Sequence, residues 1–268
     1  MNLNLNRVLN IVGLGVRRAY SFMALGVRVT RDETLNSVVL DTNFAIHFMP
    51  QNLSLETVRE VQKNFGAWIV GNGLRELDQA TSLFADRVFE VRTLAGFHGR
   101  QINQAAIDNI ANFENRTNVA EKLSVIAQQF GIDSDLRAHM PGLSKARNAL
   151  THNWGVVGVR HCTHDRELRL SWLGLEMSVG DKVIPVDFEQ FRVEQGERLV
   201  VRTLVRERTI PINMLIDLSP YDLSEICLTY WSQAQKIIAE LGRQIRELGI
   251  KPAEVGRSER PQEPDQNP

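Results

Sequence analysis

Apolar residues recur at three- and four-residue intervals over most of this chain, and in two regions the period falls toward two. The first apolar stretch, Val8 to Val27, reads as a helix packing on a core, interrupted by Arg17 and Arg18. The segment Asn36 to Pro50, rich in β-branched and aromatic residues and closed by a proline, predicts one or two short strands. From Ser54 the period lengthens again: Val58, Val61, Phe65, Trp68, Ile69, Leu77, Phe84, Val88 and Val91 mark a long amphipathic helix or helix pair. Gly71-Asn72-Gly73 sits in its middle, and because each glycine costs about 1 kcal/mol inside a helix, a kink or break is expected there.

Ala95 to Arg116, rich in Gly, Asn and Gln, mixes loop with a short helix. Val119 to Phe130 is helical, with Leu123, Ile126 and Phe130 in register and Gly131 as its stop. A further helix starts near Asp133-Ser134 and runs through Leu136, Met140, Leu143 and Leu150 toward Trp154, where Gly155 ends it; Pro141 requires a nearby helix start or a kink. Beyond Gly155, the alternation of Leu168, Leu170 and Trp172 and the branched runs Val183 to Val186 and Leu199 to Val205 predict a small antiparallel sheet over 157–213. Turns are expected at Gly180-Asp181 and Gln195-Gly196. Ser219-Pro220 then opens a last helix with the stripe Leu223, Ile226, Tyr230, Ala234, Ile237, Leu241, Ile245 and Leu248. Residues 251–268, rich in proline and poor in apolar residues, read as a disordered tail. The chain thus divides into 1–52, an N-terminal helix and short strands packing on the core; 53–250, a mainly α bundle with a small antiparallel β-rich insertion before the last helix; and the tail.

Composition changes this picture little. With 43% hydrophobic and 24% charged residues, the 268-residue chain is neither disordered overall nor fibrous. The runs either side of Arg17-Arg18 are each about nine residues, short of the roughly 20 that a membrane span takes, and the arginine pair falls where a signal peptide would need its cleavage site. The two cysteines, Cys162 and Cys227, give no disulfide framework and suit a reducing compartment, so a cytoplasmic protein without membrane contact is expected. The balance of 31 basic against 32 acidic residues leaves a net charge of -1, so any anion binding must be local. Arginine far outnumbers lysine, and arginine is the better bidentate phosphate ligand.

The chemistry concentrates in Arg147-Asn148-Ala149-Leu150-Thr151-His152-Asn153. A guanidinium grips phosphate oxygens through a planar fork and an imidazole titrates near neutral pH, a pairing suited to phosphoryl transfer. Asn148 and His152 share a helix face, whereas Arg147 and His152 stand about 140° apart on a regular helix, so the arginine must reach around or the helix must loosen.

Arginine, a polar residue, three further residues and histidine on a helix resemble the signature of the HEPN superfamily (higher eukaryotes and prokaryotes nucleotide-binding). Trp68-Ile-Val-Gly-Asn-Gly-Leu-Arg-Glu-Leu77 and Ala146 to Asn153 are similar in context to stand-alone bacterial members, and the resemblance spans Leu53 to Leu248. It implies a HEPN-like helical bundle and a metal-independent endoribonuclease acting as a homodimer, with two motifs facing one composite cleft. His152 would act as general acid–base when a ribose 2′-hydroxyl attacks the adjacent phosphate, Arg147 would stabilise the phosphorane charge, and Asn148 would hold geometry through its amide. Stand-alone members include toxins with a masking antitoxin partner and antiphage factors, and noncatalytic RNA- or nucleotide-binding or protein-interaction modules. No cofactor and no metal is implied. An arginine and a histidine near a helix C-terminus also stabilise the macrodipole, so capping the helix is the alternative to a catalytic role.

Other constellations carry less. His152, His161, Cys162 and His164 lie close in sequence, but their spacing is not one that zinc sites commonly use; they read as a polar connector in which His161 or His164 could approach the cleft and contact RNA. Val39-Leu-Asp41-Thr-Asn43 looks like the opening strand of the metal-dependent PIN nucleases, but continues as strand where those proteins turn to helix. Glu76 and Asp78 are charges of a kind that usually face solvent, although an acidic group there could orient Arg147 across the bundle. Gly13-Leu14-Gly15 lacks the third glycine and the βαβ setting of a dinucleotide site, which leaves close helix packing as its purpose.

Overall fold

A computed structural model of the chain describes residues 3–34, 53–180, 182–184 and 198–251. The first helix, α1 (Leu5–Thr30), is followed by α2 (Leu55–Ala95), α3 (Gln104–Glu114), α4 (Val119–Phe130) and α5 (Leu136–His152). A 3-10 turn (Val159–His161) leads into strands β1 (Glu167–Val179), β2 (Lys182–Ile184) and β3 (Leu199–Pro211), and α6 (Pro220–Glu247) follows. The fold is therefore mainly helical, with an antiparallel sheet in the order β2-β1-β3 inserted before the last helix. The strands expected at 36–50, with Asp41, the turn at Gln195-Gly196 and the tail beyond Lys251 lie outside the described residues.

Helix starts follow local chemistry. Asn4, Ser54, Asn103, Asn118 and Ser219 each accept a hydrogen bond from the first turn of the helix they precede, satisfying donors that have no partner within the helix. Gly131 ends α4 at φ 68°, a left-handed position natural for glycine. Pro141 is exposed within α5, early enough to remove only one hydrogen bond from its second turn.

Helix α2 is the axis of the bundle and packs against every other described helix. It runs unbroken through Gly71-Asn72-Gly73, so the break expected there does not occur. The reason is close approach: a Cβ on Gly71 would lie 2.7 Å from Thr151 Oγ1 and 3.0 Å from Leu150 Cβ of α5, and one on Gly73 would lie 2.4 Å from Met23 of α1. Gly15 does the same from α1, where a Cβ would fall 2.1 Å from that of Ala80, so the Gly13-Leu14-Gly15 segment serves helix packing. The predicted stripes contribute Leu77, Phe84, Leu143, Ile226, Tyr230 and Leu241 to one buried core, joined by Phe89 and Ala146, whereas Trp68 and Leu248 of the same stripes are exposed.

Strand β1 packs on α5 and α6. The Glu225 carboxylate on α6 accepts from Trp172 Nε1 and from the Leu175 backbone N–H, both at 2.9 Å, and Thr229 Oγ1 accepts from the Leu173 N–H at 2.9 Å. The sheet thus buttresses the two helices that bracket it in sequence. Among the described residues, no helix is long and apolar enough to cross a membrane.

Candidate functional site

The last turns of α5 run antiparallel to the middle of α2, with Leu150 and Thr151 against Gly71 and Arg147 opposite Asp78. Arg147 is held by Asp78 of α2 and by its neighbour Asn148 on α5, and Asp78 is held in turn by Tyr230 of α6. Its Nη1 donates to Asp78 Oδ2 at 2.6 Å, and its Nε and Nη2 donate to Asn148 Oδ1 at 3.2 and 3.1 Å. The other Asp78 oxygen accepts from the Tyr230 hydroxyl of α6 at 2.7 Å. Burial pushes the Asp78 carboxyl above its ordinary value, while bonds from Tyr230 and Arg147 draw it down. The Tyr230 phenol, fully enclosed, is pushed well up by burial and then by the neighbouring Asp78.

These contacts use three of the five N–H donors of the Arg147 guanidinium and leave two for a ligand. The arginine side chain retains 28% exposure, whereas that of Asp78 retains 7%. Arg147 and Asn148 border an open cleft of about 470 Å³ together with Arg75, Ser82, Asn118 and Ser144. Arg75 is exposed, and no carboxylate among the described residues lies within ion-pairing distance of it.

His152 is the last residue of α5 and is exposed. The helix stays regular to that point, so the arginine and the histidine keep their angular separation, and His152 does not line the Arg147 cleft. Two of the three predicted site residues are therefore brought together, and the third stands at the helix end beside them. Asn153 closes α5, Trp154 and Gly155 take left-handed φ values of 53° and 79°, and Asn153 Nδ2 donates to the Val156 carbonyl at 2.6 Å.

The connector histidines do not converge. His161 is buried, with Nδ1 accepting from the Gly158 N–H at 2.9 Å, Cys162 Sγ lies 3.6 Å from the Gly158 carbonyl, and His164 is exposed beside Asp165. Among the described residues, no three His, Cys, Asp or Glu side chains gather as metal ligands would. Glu76 pairs with Arg18 at 3.3 Å, so of the two acids on α2 it is Asp78 that reaches Arg147. By its spacing alone Tyr230 belongs to the apolar stripe of α6. Its hydroxyl is the signal of a further role, because a buried phenol takes a hydrogen-bond partner.

No protein-family model, curated protein or solved structure matches this chain.

Proposed function

We propose that the chain is a metal-independent endoribonuclease of the HEPN type, acting as a homodimer in which Arg147, Asn148 and His152 of two copies face one RNA strand. The observation that carries this reading is the Arg147 guanidinium, fixed by buried Asp78 and by Asn148 at the border of a cleft with two N–H donors unused, on the helix that ends in exposed His152. A pre-oriented guanidinium stabilises charge that develops on phosphate oxygens without reorganising during the reaction. In the reaction, the ribose 2′-oxygen loses its proton to an imidazole and bonds to phosphorus, and the bond from phosphorus to the 5′-oxygen breaks as that oxygen takes up a proton. The products are a 2′,3′-cyclic phosphate and a 5′-hydroxyl end. Two copies of His152 supply the base and the acid.

The dimer draws support from a shallow depression next to the Arg147 cleft. Exposed Phe22 and Trp68 line it together with Arg75, which borders both. Apolar surface of this kind, continuous with the motif, suits burial against a second copy. A toxin or antiphage role, with an antitoxin or other protein masking the cleft, belongs to the same reading.

The test is cleavage of a synthetic single-stranded RNA and of its fully 2′-O-methylated form. The unmodified strand should be cut to cyclic-phosphate ends and the methylated strand left intact, because its nucleophile is blocked. Equal cleavage of both would overturn the mechanism. One observation favours a second reading, a noncatalytic binding or interaction module: the Arg147 guanidinium is already paired with the buried Asp78 carboxylate.

A further inference from the structure

At the far end of the α2–α5 seam, a second cleft of about 590 Å³ opens between the C-terminal end of α1, the first turns of α2 and the segment that follows α5. Arg31, Arg59 and Lys63 project into its lining, and Gln62 holds them together by donating to the Val29 and Asp32 carbonyls at 3.2 and 2.9 Å, which fixes the end of α1 against α2. Among the described residues, none of the three cations has a carboxylate within ion-pairing distance, and Asp217 is the single acid of the lining. Like charges gathered in this way repel one another, and a phosphate chain relieves the repulsion.

Trp154 forms part of the same wall, 64% exposed. Its φ of 53° is a left-handed backbone at the end of α5 that glycine ordinarily fills and a bulky side chain rarely adopts. The flanking backbone is pinned, with Gly155 N–H donating to Ala149 at 3.0 Å, Val156 N–H to Asn153 at 2.8 Å, and Ile216 N–H to Gly155 at 2.8 Å. An indole is thus held out to solvent beside three cations, two residues beyond His152.

We infer that this cleft is a subsite for single-stranded RNA, in which a base stacks on Trp154 while the flanking phosphates meet Arg31, Arg59 and Lys63. The choice of RNA rests on the ribonuclease reading; the cation and aromatic chemistry is that of single-strand recognition in general. With a net charge of -1 there is no bulk attraction for a polyanion, and the cluster supplies it locally, next to the helix end that carries His152.

The experiment is fluorescence anisotropy of a labelled single-stranded RNA dodecamer with the full chain carrying His152→Ala, so that bound RNA stays intact, over a series of salt concentrations in EDTA. Adding Trp154→Ala should weaken binding roughly tenfold or more, and Trp154→Phe should restore most of it. Trp154→Gly, which suits the left-handed backbone, should keep the melting temperature and still lose affinity. Adding Arg59→Ala and Lys63→Ala should lower the salt slope by about 0.7 per lost cation, while Lys236→Ala on α6 changes nothing. The inference is overturned if the parent does not bind, if the folded Trp154 variants bind as tightly as the parent, or if a duplex RNA binds as well as the single strand. Binding that depends on Trp154 while the unsubstituted chain cuts no RNA would sink the ribonuclease reading and leave the subsite standing. Cleavage indifferent to Trp154 would do the reverse.

Discussion

At the residue scale, the account turns on how Arg147 is held. Asp78 is buried and bonded on both oxygens, so removing its charge leaves the guanidinium without its anchor. We expect Asp78→Asn to lower stability by about 1–3 kcal/mol in urea melts and to cut RNA cleavage at least tenfold even where the protein stays folded. Tyr230→Phe should cost stability in the same range, because it strands a buried carboxylate oxygen. Two histidines away from the motif make stability depend on pH. His139 bonds Ser171 Oγ at 2.7 Å through Nδ1, and burial holds its pKa below 6.5 despite the opposing pull of Asp135. Burial lowers that of His161 as well, helped by Arg160 and Lys145. Both pKa values are depressed in the fold, so the unfolded chain binds more protons; stability is complete above about pH 6.5 and falls as pH drops through the lower folded values. Urea midpoints at pH 7.5 and 5.5 should show that loss, and His139→Gln should shrink the difference.

At the scale of elements, glycines decide where helices meet. Gly71 lets the last turn of α5 lie on α2, and Gly71→Ala would place a methyl 3.0 Å from the Thr151 backbone nitrogen and from Leu150 Cβ. Neither neighbour is a flexible chain end, so the helices must part; a cost of about 1–3 kcal/mol and a marked loss of cleavage are expected, measured by melts and by RNA turnover. Why Gly71-Asn72-Gly73 does not interrupt α2 belongs to the same physics. Propensity speaks against two glycines in a helix, and packing of Gly71 on α5 and Gly73 on α1 outweighs it. Periodicity alone could not show this, because it registers which face is apolar and not how closely two backbones approach. Caps read from the sequence match the helix ends: Gly131 ends α4, and Ser219-Pro220 opens α6. The site was half legible. The spacing of Arg147, Asn148 and His152 is a sequence property, whereas the Asp78–Tyr230 support joins residues far apart in the chain and exists only once α2 and α6 are packed.

At the scale of the whole molecule the chain is near-neutral, and among the described residues Arg31, Arg59 and Lys63 line one cleft and Arg75 the other, each without a carboxylate within ion-pairing distance. On the ribonuclease reading, RNA cleavage should therefore be sensitive to salt to the extent of a few local phosphates. The exposed Phe22 and Trp68, in the depression that shares Arg75 with the Arg147 cleft, make the proposed dimer testable. Sedimentation should give a species of twice the 30.4 kDa chain mass, and Trp68→Glu should shift it to monomer and reduce cleavage with it. The most direct test of the central claim is cleavage of total cellular RNA in EDTA by the unsubstituted protein, Arg147→Ala and His152→Ala, with thermal melts of all three. The account predicts that the unsubstituted protein cuts RNA and that each variant, still folded, loses cleavage by at least about 100-fold, the range that removing one acid–base or oxyanion-stabilising group produces. Cleavage unchanged in His152→Ala, or none by any of the three folded proteins, would contradict it.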